Sequence, residues 1–141
     1  TMTGTYSPTS WSALYSAIDQ ANAVIKYAWV IDMPVQDRAF ALSQAHFARA
    51  YCYFWAARMW GDVPMNLVPV ESSTQPECYP ERQKAAVVYE QIGKDIAEAL
   101  KYVADMGKDK YFGTKDALNM LSAQLGANLD LGWINDIVFR I

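Results

Sequence analysis

From Arg38 to Trp60 the chain carries neither glycine nor proline, and good helix formers dominate the run. Phe40, Phe47, Tyr51, Phe54 and Trp55 give it a bulky stripe, while Ala41, Ala45, Ala48, Ala56 and Ala57 let neighbouring helices come close. Gly61, Asp62 and Pro64 follow as stop signals. A helix of this length with an apolar stripe has to be buried against other elements, so the chain is read as stacked helices.

The flanking segments fit that reading. Trp11, Leu14, Tyr15, Ile18, Asn22 and Ile25 recur at three- and four-residue steps, which predicts a helix over about 11–27 capped by Ser10 or Thr9. Residues 29–37 form a connector broken by Pro34. A third helix is expected over about 85–104, with Val88, Tyr89, Ile92, Ile96, Ala99, Leu100 and Val103 inward, and a fourth over about 114–128, capped by Thr114 and carrying Ala117, Leu118, Leu121 and Leu125 inward. Residues 62–84 hold Pro64, Pro69, Pro76 and Pro80 with no sustained period and read as a long ordered loop. No run of β-alternation stands out. The expectation is an all-α fold of two tetratricopeptide-like helical hairpins forming a single domain over 1–141, although the long loop interrupts the ~34-residue period of such repeats.

Composition narrows the function. The formal net charge is −3 and no Lys/Arg run occurs, so the electrostatic footprint of a nucleic-acid binder is missing. No stretch reaches the about 18 uninterrupted apolar residues of a membrane-spanning helix. Cys52, in an aromatic stretch, reads as a buried apolar side chain; Cys78 lies in the Pro-rich loop, and a disulfide between them is allowed but not demanded. No Cys/His cluster points to a metal, and no cofactor motif is present.

Nothing has the pattern of a catalytic centre. His46, the one histidine, lies within the second helix and reads as a surface or packing residue. Asp95 and Glu98 stand three apart and could share a site, but no Ser or Cys has a neighbouring base in sequence. Arg49 is set among apolar residues and, if buried, needs a partner; Asp95 and Asp62 are the candidate carboxylates, with carbonyls of another helix as the alternative. For binding, Trp29 lies close to Asp32 and Arg38, a combination suited to sugars: a pyranose face stacks on the indole while charged groups bond its hydroxyls. Tyr79, Tyr111 and Phe112 could contribute likewise, or any of these rings could fold back as lids on the core.

Several stretches in order resemble the SusD/RagB family. Trp11-Ser-Ala-Leu14-Tyr15-Ser-Ala-Ile18-Asp-Gln-Ala21-Asn22 is similar to its first-helix pattern, and Gln44-Ala45-His46-Phe47-Ala48-Arg49-Ala50 to its Glu-Ala-x-Phe-Leu-Arg-Ala segment. Tyr53-Phe54 through Trp60-Gly61-Asp62-Val63-Pro64-Met65 resembles its aromatic helix end and Gly-Asp-Val-Pro-Leu turn. Arg82, Val88-Tyr89-Glu90-x-Ile92 and Asp95-Ile96-x-x-Ala99 match its third helix, and Thr114-Lys115 with Ala117 and Leu121 its fourth. Gln44 and Ala48 depart from the family's Glu and Leu. The resemblance implies a glycan-binding, non-enzymatic nutrient-uptake lipoprotein on the extracellular face of the outer membrane. Such a protein is anchored through an acylated N-terminal Cys, takes oligosaccharide and works with a SusC-like TonB-dependent transporter. Family members are several times longer, with ligand contacts largely from loops and the C-terminal part, so this chain is expected to be a helical fragment without the lipidated start. A helical-repeat adaptor for a protein or peptide is the alternative reading.

Overall fold

The computed structural model describes residues 6–106. Its frame is three helices, α1 (Tyr6–Tyr27), α2 (Val35–Trp60) and α3 (Ala85–Lys101). α1 and α2 make an antiparallel hairpin, because Trp11 near the start of α1 meets Trp60 at the end of α2, with ring centroids 4.8 Å apart. α3 runs antiparallel to α2: Phe54 meets the ring of Tyr89 at 6.3 Å near one end, and the Ser43 hydroxyl donates to the Ala99 carbonyl at 3.0 Å near the other. This is the all-α order expected, with α2 as the central helix. The anticipated fourth helix over 114–128, together with Tyr111 and Phe112, lies outside the described residues.

Helix boundaries differ from the periodicity at several points, for local reasons. α1 starts at Tyr6 rather than near Trp11, so Thr9 and Ser10 lie inside it and do not cap it. Pro8 sits in its first turn, where backbone N–H groups have no intrahelical acceptor to lose. α2 begins at Val35, directly after Pro34, whose carbonyl accepts from the Arg38 N–H at 3.0 Å and closes the first turn. α3 stops at Lys101, and a 3₁₀ turn over Val103–Asp105 takes the rest of the span expected to be helical.

α2 ends at Gly61, whose φ of 75° and ψ of −116° are costly for any residue with a Cβ; its N–H still closes onto the Ala57 carbonyl at 2.8 Å. The space beside it is open, so backbone strain alone acts on a substitution. Gly61→Ala is therefore expected to destabilise the protein by about 1–3 kcal/mol without altering its helix content, as read by urea unfolding followed by circular dichroism.

The 62–84 loop is ordered and contains more regular structure than its prolines indicate. Val63–Pro64 (β1) pairs antiparallel with Arg82–Gln83 (β2), in the register Val63 to Gln83 and Pro64 to Arg82. Two residues are too few to show alternation in sequence. A 3₁₀ turn at Pro76–Cys78 lies in the returning limb. At the loop's foot the Asp62 carboxylate accepts the Ala85 N–H at 2.9 Å, satisfying a donor of the first turn of α3.

The core lies along α2, where Tyr53, Phe54 and Leu42 are fully buried with Ile18 of α1, Val63 of the loop, Val88, Ile92 and Ile96 of α3, and Val103 beyond it. Each such aliphatic or aromatic side chain contributes roughly 1.5–3 kcal/mol by leaving water. Cys52 is buried, Cys78 half-buried, and both are free thiols. Among the described residues no helix is long and apolar enough to cross a membrane.

Candidate functional site

Within the helical stack lies a buried polar network. Asp95 of α3 is 1% exposed, and its carboxylate accepts two hydrogen bonds from Arg49, Nε to Oδ2 at 2.9 Å and Nη2 to Oδ1 at 2.7 Å. His46, one turn earlier on α2, brings Nδ1 to Oδ1 at 2.9 Å. An ionised carboxylate only accepts, so Nδ1 is the protonated nitrogen. Arg49 Nη1 then donates to the side-chain oxygen of Asn22 at 2.9 Å and to the Leu67 carbonyl at 3.3 Å. Burial pushes the Asp95 carboxyl up, but the bonds from His46 and Arg49 and the guanidinium charge outweigh it, so the group sits below the usual carboxylate range.

The network accounts for several residues considered in sequence. Asp95, not Asp62, is the carboxylate against Arg49; Asp62 caps α3 instead. Asp95 and Glu98 share no site, because Glu98 points outward to Lys101 at 2.6 Å while Asp95 points inward. His46 is a buried partner of Asp95 rather than a surface residue, and its ring lies 6.4 Å from that of Tyr102 at 18°. Its three-residue offset from Arg49 puts both on one face of α2, a signal present in the sequence.

Asn22 carries the network into the loop. Its Nδ2 donates to the carbonyls of Asn66 at 2.9 Å and Val68 at 3.3 Å. The Tyr53 hydroxyl donates to the Asn66 carbonyl at 2.9 Å and accepts the Asn66 N–H at 2.6 Å. Burial pushes the Tyr53 phenol up to about 12, with the Asn66 N–H opposing it. Tyr15 donates to the Pro64 carbonyl at 2.6 Å, and burial, then Tyr53, raise its phenol above the ordinary range. Asp19 accepts the Val70 N–H at 2.8 Å, while Lys26 and Tyr27 both reach Glu71. The outgoing limb of the loop is thus laid along α1 by side chains spaced a turn apart. Beneath it is a cavity of about 160 Å³ lined by Ile18, Asn22, Asn66, Glu77 and others, mostly apolar in character.

The aromatic residues singled out for binding fall in two places. Trp29, 57% exposed, stands at the turn between α1 and α2, with the Arg38 guanidinium 5.8 Å from its ring centroid and the Tyr102 ring tilted at 6.3 Å. Arg38 also donates Nε to the Ala28 carbonyl and Nη2 to the Ile31 carbonyl, both at 3.0 Å, so part of its donor set closes the end of α1. Asp32 is exposed on the same turn but is not joined to either. Tyr79 is 82% exposed in the returning limb of the loop, and no hydrogen bond or ring contact connects it to Trp29. The same turn exposes Val30, Ile31 and Val35. A shallow groove of about 430 Å³ between α1 and α2 is lined by Ala17, Ala21, Phe40, Ala41, Ala45 and Ala48, with Gln20, Val24 and Gln44. Among the described residues no group of three or more His, Cys, Asp or Glu is placed to hold a metal ion.

Comparison with known proteins places the chain beside these features. The SusD-like family profile described as starch-binding, associating with outer membrane, matches residues 1–123. The SusD-like protein P38 of Formosa agariphila is 31% identical over 115 residues, which cover 82% of this chain and 22% of that protein. The chain thus spans about a fifth of the length of the curated relative it matches.

Proposed function

Because this chain belongs to the SusD-like family, we propose that it is the helical part of an outer-membrane, cell-surface protein that captures oligosaccharide and hands it to a TonB-dependent transporter, making and breaking no bond itself. The family's description as starch-binding and outer-membrane-associated supports the glycan and the location. An N-terminal lipid anchor and the extracellular face belong to the same reading. The buried network is structural in it: Asp95, Arg49, His46 and Asn22 bond to one another, which stiffens the helices.

The observation that carries ligand contact is the exposed Trp29 ring with Arg38 against it. A sugar's apolar face stacks on the indole, and the Arg38 N–H groups not bonded to Ala28 and Ile31 meet its hydroxyls. Asp32 on the same turn adds acceptors, and Tyr79 offers a second stacking surface on the loop. In the native protein, with whatever chain its gene encodes, Trp29→Ala is expected to weaken oligosaccharide binding roughly threefold to tenfold with an unchanged melting temperature, measured by titration calorimetry. Unchanged affinity would remove Trp29 from the site.

The adaptor reading has its own observation, the alanine-lined groove between α1 and α2, whose small side chains admit a close-packed helix. Binding of helical peptides with indifference to sugars would favour it over capture of glycan.

A further inference from the structure

We propose, resting on the oligosaccharide reading above, that Asn66 is a positioning residue that holds the Tyr79 turn in place for ligand. A side chain 82% exposed is not fixed by packing of its own, so the backbone beneath Tyr79 decides where the ring stands. That backbone follows directly on the 3₁₀ turn Pro76–Cys78, whose internal ties are short-range, Cys78 N–H to the Gln75 carbonyl and Tyr79 N–H to the Pro76 carbonyl, both at 3.1 Å. Local ties of this kind shape the turn without locating it on the molecule.

Asn66 supplies the location. Its own backbone is clamped on both sides, the N–H and the carbonyl by the Tyr53 hydroxyl and the carbonyl again by Asn22. Tyr53 is fully buried and Asn22 is bonded to Arg49, so this point of the loop moves with the helical core. From there Asn66 Nδ2 donates to the Glu77 carbonyl at 2.9 Å, inside the 3₁₀ turn and two residues from Tyr79. The Asn66 side-chain oxygen meanwhile accepts the Val68 N–H at 3.3 Å, which fixes the orientation of the amide. Gln75 braces the far end, donating to the Pro69 carbonyl at 3.0 Å and accepting the N–H groups of Glu71 and Ser72. The Asn66 carboxamide therefore joins the rigid core to the turn just before the ring, while the pairing of Arg82–Gln83 with Val63–Pro64 holds the chain only from three residues beyond it. Without it, Tyr79 has to be ordered at the moment of binding.

The test uses the native protein and four forms: wild type, Asn66→Ala, Asn66→Asp and Tyr79→Ala. Affinity is measured for an oligosaccharide panel that begins with maltoheptaose, and amide exchange is followed by mass spectrometry. Asn66→Asp keeps the acceptor for Val68, loses the donor to Glu77 and sets a carboxylate oxygen against that carbonyl, so it breaks the bond in question if the alanine variant folds poorly. The expected result is roughly threefold to tenfold weaker binding in both Asn66 variants, approaching that of Tyr79→Ala, with faster exchange at residues 76–80 and unchanged protection in α1, α2 and α3. Weaker binding in Tyr79→Ala with wild-type affinity in both Asn66 variants would overturn the positioning role and leave the oligosaccharide reading intact. Wild-type affinity in Tyr79→Ala would take the loop out of the ligand site, and the proposal would fall with it.

Discussion

Asp95→Ala is expected to destabilise the protein by about 3–5 kcal/mol, a large part of the ~5–15 kcal/mol that holds a domain together. The substitution removes the acceptor of two Arg49 bonds and one His46 bond and leaves the buried Arg49 with only Asn22 and the Leu67 carbonyl to face. The loss comes from the charge left behind rather than from the net worth of the pair. Replacing both partners at once, as in Arg49→Met with Asp95→Leu, is accordingly expected to cost less than Asp95→Ala alone. Acid provides an independent check. The folded-state pKa of Asp95 is depressed, so its contribution is complete above the unfolded value of about 3.9 and fades as pH falls through the lower folded value. The stability gap between wild type and Asp95→Ala should therefore be constant near neutrality and close below about pH 4. Urea unfolding across that range measures it; a gap under about 1 kcal/mol at pH 7 would show that the network carries little stability.

Phe54→Ala is expected to cost about 3–5 kcal/mol through a different mechanism, loss of apolar contacts and the cavity left behind. Phe54 is fully buried where α2 meets α3, with its ring 6.3 Å from Tyr89 and 6.2 Å from Trp55, and the Arg58 guanidinium 5.4 Å from its centroid. Trp55, the next residue, is 37% exposed, and Trp55→Ala should lose clearly less despite removing a larger side chain. Denaturant midpoints of the two variants make the comparison. Equal losses would mean that the outward face of α2 is as tightly packed as the inward one.

Much of the architecture was legible because its determinants are local. The Gly- and Pro-free run from Arg38 and the stop at Gly61 place α2, which starts three residues earlier at Val35, and the spacing of Val88, Ile92, Ile96, Ala99 and Leu100 places α3 and the side it buries. The misjudged points are also instructive. Thr9 and Ser10 looked like caps because they are good ones in isolation, yet Pro8 is tolerated in a first turn and the helix starts before it. For His46 the sequence leaves surface and packing roles open, and the structure takes the packing one, because its partner Asp95 is 49 positions away in the chain.

The binding-site residues divide along the same line. Trp29 and Arg38 are close in sequence, and a single turn between helices brings them together, so proximity along the chain was informative. Tyr79 is set on a loop whose path no periodicity describes. That path depends on Asn22 and Tyr53, whose burial is visible only once the helices have met, and on the half-buried Asn66 that they hold.

The sequence by itself determined that α1, α2 and α3 form and roughly where they run, which side α1 and α3 bury and which family the chain resembles, because hydrogen bonds four residues apart and the absence of Gly or Pro act at short range. For α2 it did not determine the buried side, since Tyr51 and Trp55 of its bulky stripe are exposed. Only the tertiary structure decided that Asp95 rather than Asp62 meets Arg49, that His46 and Asn22 complete the network, and that the 62–84 loop lies along α1. Those choices rest on contacts spanning 27 to 51 residues, where direction and burial, not spacing in the chain, select the partner.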